Sequence, residues 1–176
     1  MKKLLMAVTI LATGAVAYAA APSVSTPVSV SLDVVTTSNV VLMDGAVQLT
    51  QIDLAHPQIM LTAAQTANTS SVVAKTFTAK TGDDSEMEFE GAPGAVISYD
   101  LAGITNGALE LTNGVDKLES TLALSRTTDK VESGSSAPAN TITSTISPSS
   151  LNALANTGTY TGTATLNVTL AAVTTK

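Results

Sequence analysis

The acidic segment DDSEMEFE, residues 83 to 90, contains the densest group of side chains that could do chemistry. Glu86, Glu88 and Glu90 occur at every second position, so an extended strand would turn these three carboxylates to one side. A calcium site needs roughly six to eight oxygen ligands that converge from several loops, and no such set is recognisable here. We therefore interpret the segment as a solvated strand face whose charge discourages aggregation between sheet edges, and we predict no metal site.

His56 is the only histidine, and the chain contains no cysteine. Neither a zinc site nor a histidine-based catalytic triad can be argued without further ligands or a recognisable partner. His56 and Pro57 together are typical of a turn, and we interpret them in that way. Acid pairs such as Asp83 and Glu86 are the residue types that cleave glycosides, but sugar-cleaving sites usually offer aromatic platforms, and aromatic residues make up only 3% of the chain. The sequence therefore predicts no catalytic residue, no cofactor and no enzyme.

The first 19 residues have the pattern of a secretory signal peptide. Lys2 and Lys3 precede an apolar run, and alanines flank Tyr18 in the small-residue pattern of a cleavage site. We expect cleavage after Ala19 and export of the remaining chain. The whole chain has a formal net charge of −6, and loss of the two lysines makes it more negative. This balance argues against nucleic acid and anionic membranes as partners.

Strand-like runs recur between turn signals at short spacing, which is typical of an all-β sandwich or barrel. Threonine, serine, alanine and valine are abundant, and small and β-branched residues at this density favour strands over helices. Asn113-Gly114 predicts a tight hairpin turn between two such runs. We interpret residues 127–150 as a long polar loop with one short strand at Thr141 to Ile146, followed by a single helical turn capped by Ser147.

Both ends of the expected mature chain have the alternating pattern of a half-buried strand. Near the C-terminus, the segment GTYTGTATLNVTL has apolar or small residues on one face and mostly threonines on the other. We predict that this strand has an open edge and forms the acceptor groove, with Tyr160 packing inward. The predicted groove residues are Tyr160, Gly162, Ala164, Leu166, Val168 and Leu170.

Residues 20–34 form the predicted N-terminal arm. Its apolar positions share one face, whereas serines and Asp33 lie on the other face, and no hairpin joins the arm to a neighbouring strand. We predict that the arm fills the groove either of its own subunit or of a neighbour, and in the second case a head-to-tail contact builds a filament. The predicted donor residues are Val24, Val28, Val30 and Leu32.

The arm and the last strand carry a resemblance to a known family. The segment PVSVSLDVVTTSNVVLMDG, with GTYTGTATLNVTL at the far end, resembles the cysteine-free major fimbrial subunits of the colonization-factor type, which are assembled by the chaperone–usher route. The middle segment FEGAPGAVISYDL…LELTNG and the GTYTGT motif also resemble small secreted bacterial domains related to spore-coat and archaic pilin domains. The positions that match the fimbrial motifs are Leu42, Asp44, Gly45, Gly158, Tyr160 and Gly162.

The resemblance implies an immunoglobulin-like β-sandwich of the pilin type, which is incomplete and is completed by a donated N-terminal strand. Residues 35–176 would form this sandwich, and identical or related pilin subunits, a periplasmic chaperone and an outer-membrane usher would be the partners. The chain would then be a structural subunit of a bacterial surface filament, a fimbria that supports cell adhesion. The alternative is a self-complemented secreted domain that acts as a monomeric adhesin or coat protein.

The acidic segment generates a first prediction. Replacing Glu86, Glu88 and Glu90 together by glutamine should leave the response of the melting temperature to millimolar calcium unchanged, because no converging ligands accompany them. Thermal denaturation of the parent and the triple variant, each with and without calcium, measures this. A rise in melting temperature with calcium in the parent alone would establish a calcium site.

Overall fold

A computed structural model describes residues 24–36, 40–61, 69–81, 96–130, 137–154 and 158–171. Most of these residues lie in β-strands, so the all-β prediction is confirmed. Within the described ranges, no helix is long and apolar enough to cross a membrane. The acidic segment around Glu88 lies outside the described residues.

The elements follow one another along the chain with a single short helix among the strands. They are β1 (Val24–Thr36), β2 (Val40–Asp44), β3 (Val47–Leu49), β4 (Gln51–Leu61), β5 (Ser71–Thr81), β6 (Val96–Ala102), β7 (Ala108–Thr112), β8 (Lys117–Leu124), β9 (Thr128–Lys130), β10 (Asn140–Ile146), α1 (Pro148–Asn152) and β11 (Tyr160–Ala171).

Backbone pairing connects the strands into one folded-over sheet. Its main path runs β3-β2-β5-β10-β8-β7-β11-β1-β4, and β6 and β9 extend it from the other edge of β11. The two end strands of the path, β3 and β4, are separated in sequence only by Thr50. The sheet therefore curls over a shared interior, because its first and last strands are covalent neighbours.

The interior is filled by the inward side chains of nearly every long strand. Phe77 and Tyr99 meet edge to face with their ring centres 5.9 Å apart, a preferred geometry for aromatic pairs. The other side chains are mostly aliphatic, and with no disulfide available the free energy of folding rests on their burial. The largest fully buried side chains are Tyr160, Phe77, Leu32, Leu42, Ile52, Leu54, Ile97, Leu111, Leu118, Ile142, Ile146 and Leu166.

The predicted turn at His56-Pro57 is wrong, because both residues lie inside the continuous strand β4. Proline lacks the N–H that a sheet ladder uses, so it is tolerated where pairing is already interrupted. The register between β1 and β4 shifts between Thr26 and Val28. Pro27 of β1 and Pro57 of β4 both lie in this irregular stretch. The two prolines share one bulge, and the strand continues beyond it.

In the second half of the chain, the predicted hairpin, helix cap and short strand agree with the structure. β7 and β8 pair as the hairpin that Asn113-Gly114 predicted, with Gly114 at a φ of 90°. The Ser147 side chain accepts a hydrogen bond from the Ser150 backbone N–H at 3.1 Å and so caps α1, as expected. Strand β10 matches the predicted short strand closely, but β9 lies in the segment that we had interpreted as loop.

Gly162 lies where β11 packs tightly against β7. A Cβ atom at this position would lie 2.6 Å from Leu111 Cδ2 and 2.7 Å from the backbone oxygen of Glu110. Such distances are shorter than van der Waals contact, and one of the two atoms belongs to the backbone, so relief requires a shift of the strands. A side chain at position 162 is therefore excluded by packing.

Gly162→Ala should destabilise the protein by about 1–3 kcal/mol, the usual cost of overpacking a close contact. The matched control is Thr163→Ala, because Thr163 is the next residue of β11 and its side chain is exposed. That change should cost about 0.5 kcal/mol or less. Denaturant unfolding of both variants measures the difference, and equal stabilities would show that β7 and β11 separate easily.

Candidate functional site

Strand β1 lies between β11 and β4 and pairs with both along most of its length. It runs parallel to β11, with Val28 opposite Tyr160, and antiparallel to β4, with Val28 opposite His56. No hairpin connects β1 to either neighbour, because the strands on its two edges come from distant parts of the sequence. The N-terminal arm thus occupies a groove of its own chain, and this groove is the candidate functional site.

The inward side chains of the arm are completely covered. Val28 is 2% exposed, and Val30 and Leu32 are 0% exposed. Val30 lies opposite Gly162 on β11 and Leu54 on β4. Val24 also belongs to β1, where its backbone position pairs with Leu61. Burial of an aliphatic side chain stabilises by about 1.5–3 kcal/mol, so the three buried residues alone contribute several kcal/mol before the cost of ordering the arm.

The predicted groove residues fall into two groups in the structure. Tyr160, Ala164, Leu166 and Val168 are buried, and together with Gly162 they lie within the register of the arm, which ends where Thr36 pairs with Val168. Leu170 lies beyond that end, is half-buried, and pairs instead with Ile97 on β6. The floor of the groove beside the arm therefore runs from Tyr160 to Val168.

The outer face of the arm is polar and pairs with β4. Ser31 Oγ donates a hydrogen bond to Asp53 Oδ1 at 2.9 Å, and Gln51 Nε2 donates to Ser31 Oγ. These contacts lie on the exposed side of the sheet, where each is worth little because water competes for the same groups. They show that Ser31 and Asp53 stand next to each other across the two strands.

A buried polar network lies beside the groove, and sequence reasoning missed it. His56 Nε2 lies 2.7 Å from Ser144 Oγ on β10, which in turn lies 2.6 Å from Ser120 Oγ on β8. His56 Nδ1 lies 2.9 Å from Ser71 Oγ at the start of β5. Ser120 and Ser144 are 0% exposed, and burial lowers the pKa of His56 from its ordinary value of 6.5. The inward parity of His56 with Ile52 and Leu54 was the available signal.

Two tyrosines are buried with carboxylates close by. Tyr160 Oη donates to Asp116 Oδ2 at 3.4 Å, and burial followed by the charge of Asp116 raises the pKa of this phenol. Burial also raises the pKa of Tyr99, and the carboxylate of Asp129 adds to the shift. Arg126 Nη1 lies 3.7 Å from Asp129 Oδ1 and partly compensates this buried acid. Both phenols therefore stay protonated at neutral pH, as expected for structural side chains.

The described residues contain no group of three or more histidine, cysteine, aspartate or glutamate side chains that could hold a metal ion.

Surface hollows flank the β7–β8 hairpin, where Glu110 and Glu119 face each other across the strands. Lys117 Nζ lies 2.9 Å from Glu110 Oε2 and offsets part of this repulsion. These hollows are lined mostly by exposed side chains, and among the lining residues no nucleophile is held against a base.

No protein-family model matches the chain, and neither the curated proteins nor the solved structures include a significant match to it. The function has to be argued from the groove itself.

Val30→Asp should lower the free energy of unfolding by about 3 kcal/mol or more, because it buries a carboxylate that has no partner in the core. Ser29→Asp introduces the same charge one residue away on the outer face, where water reaches it, and should cost less than about 1 kcal/mol. Since net charge is equal in the two variants, the difference isolates burial.

Denaturant unfolding at pH 7 measures this comparison. Similar stabilities for the two variants would contradict the insertion of Val30 into the core.

Proposed function

We propose that the protein is a structural subunit of a bacterial surface filament and that its N-terminal arm can leave its own groove and insert into that of a neighbouring copy. The observation that carries the proposal is the position of β1. It is the first described strand of the chain, it pairs on both edges, and no tight turn holds it to either partner. These are the features that allow a strand to be exchanged without changing the rest of the fold.

Exchange preserves the contacts that hold the arm. An arm from a second copy can place its Val28, Val30 and Leu32 against the same residues of β11 and β4, so the contact energy of the open and closed forms is similar. The balance then depends on concentration and on the cost of joining two molecules. Because the three side chains are almost fully buried, withdrawal of the arm is slow, and a filament once formed would be long-lived.

A head-to-tail exchange that does not close on itself produces a filament from identical subunits. Under this proposal the domain is an immunoglobulin-like sandwich of the pilin type, and the arm supplies its last strand. Export behind the signal peptide would bring the chain to a periplasmic chaperone and an outer-membrane usher before it reaches the cell surface. The role is adhesive and structural, with no enzymatic step.

The second candidate is a self-complemented secreted domain that works as a monomeric adhesin or coat protein. The observation that favours it is that the arm pairs with β11 and β4 of the same chain, which satisfies both of their edges. The two candidates make different statements about which chain supplies the arm in the purified protein.

A pair of cysteines distinguishes these candidates. Ser31→Cys combined with Asp53→Cys places two thiols across β1 and β4, at positions whose side chains already touch, and the parent chain has no cysteine of its own. If arms are exchanged, oxidation should link each chain to the next and produce a ladder of covalent oligomers on a non-reducing gel. If the arm stays in its own chain, the product should be a single monomer band.

The single variant Ser31→Cys is the control, since it can form at most covalent dimers. Electron microscopy of the same oxidised sample should show filaments where the ladder appears. Monomer bands at every protein concentration, with no filaments, would overturn the exchange proposal and leave the monomeric domain.

A further inference from the structure

His56 is the only imidazole of the chain, and its ring is held between the two halves of the folded sheet. The ring belongs to β4, and its two nitrogens lie within hydrogen-bond distance of the hydroxyls of Ser71 on β5 and Ser144 on β10. The Ser144 hydroxyl is also hydrogen-bonded to the hydroxyl of Ser120 on β8. The residue is 6% exposed. A neutral imidazole satisfies both contacts, because one ring nitrogen donates to a hydroxyl and the other accepts from one.

No charged group balances this ring among the described residues. Asp53 lies on the outer face of β4, Asp33 of β1 is exposed, and Lys75 of β5 pairs with Asp44. Lys117 and Glu119 of β8 are exposed, and β10 contains no charged residue. Lys80 lies near the other end of β5 from Ser71, where it pairs with Val41 of β2. Among the described residues the ring contacts serine hydroxyls, so a proton on His56 would place an uncompensated charge in the core.

The ring also lies at the base of the arm. His56 is directly opposite Val28 in the β1–β4 register and adjoins the bulge that contains Pro27 and Pro57. Pairing is already interrupted at this bulge, so β1 and β4 are held together there by fewer backbone hydrogen bonds than elsewhere. A change in the charge of His56 therefore acts on the strand that holds the arm, next to a point where the pairing of the two strands is interrupted.

We propose that His56 is an acid-sensitive latch: protonation of its ring in mildly acidic medium loosens β4 and with it the inserted arm. The inference concerns the same groove as the proposed function but goes beyond it, because it holds for the arm in its own chain whether or not filaments form. The ligand of His56 in this proposal is the proton. Its binding raises the fraction of molecules in which the arm has left the groove when the medium becomes acidic.

The direction follows from the buried position of the ring. Burial lowers the pKa of His56 in the folded, closed protein below 6.5, the ordinary value expected once the strand is open. The closed state is therefore stabilised fully above pH 6.5 and loses stability as the pH falls toward the lower pKa of the folded state. Between pH 7.5 and 5.5 the population with the arm open should rise, by at most about tenfold, because a proton binds the ring of the open state more readily than the buried ring of the closed state.

Hydrogen exchange of the full protein at pH 7.5 and 5.5 tests the latch, with rates corrected for the intrinsic effect of pH. Protection of the amides of residues 28–36 should fall on acidification, by up to about tenfold. Amides of β7, which contributes no side chain to the network, should lose clearly less protection. The matched control is His56→Gln, whose amide can bond to hydroxyls but does not titrate, and in this variant the protection of residues 28–36 should not change with pH.

Three outcomes would overturn the proposal: unchanged protection in the parent, an equal fall in His56→Gln, or an equal fall in all strands, which would mean global destabilisation without a latch. If the variant does not fold, the unmodified protein still decides, because its sole imidazole gives a single set of ring signals in NMR. A titration midpoint of the ring signals below pH 6.5, together with loss of hydrogen-exchange protection in the arm, supports the latch. A midpoint at or above pH 6.5 contradicts it. None of these measurements requires filaments, so failure of the latch and failure of strand exchange can be told apart.

Discussion

The insertion of β1 between β11 and β4 is the contact on which the rest of the architecture depends. β4 has no other backbone pairing partner among the described strands, and its remaining links to the sheet are Thr50, which joins it to β3, the hydrogen bonds of His56, and the packing of its inner face against the core. β11 likewise needs the arm on the edge that β6 and β7 leave free. The arm is therefore the strand that connects the two halves of the fold, although it is joined to neither by a turn.

The packing of the arm explains why this position tolerates a strand with so little local attachment. Val30 and Leu32 are fully buried and lie in register with residues of both neighbouring strands, so their burial favours both pairings at once. Gly162 opposite Val30 removes a side chain where β7 approaches from the other direction. The same residues make the groove specific, because a slip of one position would turn the serines inward and the valines out.

The alternation of apolar and polar residues was enough to predict the strands at both ends of the chain, since one face of each strand is buried and the other is exposed to solvent. It did not predict that β1 and β11 run parallel, because a two-residue period contains no information on direction. His56-Pro57 is not a turn because Pro57 lies in a register shift opposite Pro27 of β1, and a local proline signal contains no information on such a partner strand. β9 was missed because Thr128 to Lys130 are polar and the strand is short.

The buried polar residues were also beyond sequence reasoning. Asn140 appears as one more polar residue in a threonine-rich segment, yet it is 0% exposed and its side chain binds the backbone of Arg126 at both ends of the amide. Ser120 and Ser144 have the same parity as their leucine and isoleucine neighbours, but nothing in either segment indicates that they bond to each other. Such contacts depend on which strands become neighbours, and that is decided by the fold as a whole.

The parallel arrangement of β1 and β11 has a mechanical consequence. In a parallel pair the start of one strand and the end of the other lie at opposite ends of the ladder, so tension applied between Val24 and Ala171 acts along the strands. The hydrogen bonds between Val28 and Thr36 on one side, and Tyr160 and Val168 on the other, then carry the load together and do not open one after another. A domain that is pulled in this direction resists by shear, which is the stronger mode for a hydrogen-bonded ladder because several bonds must break together.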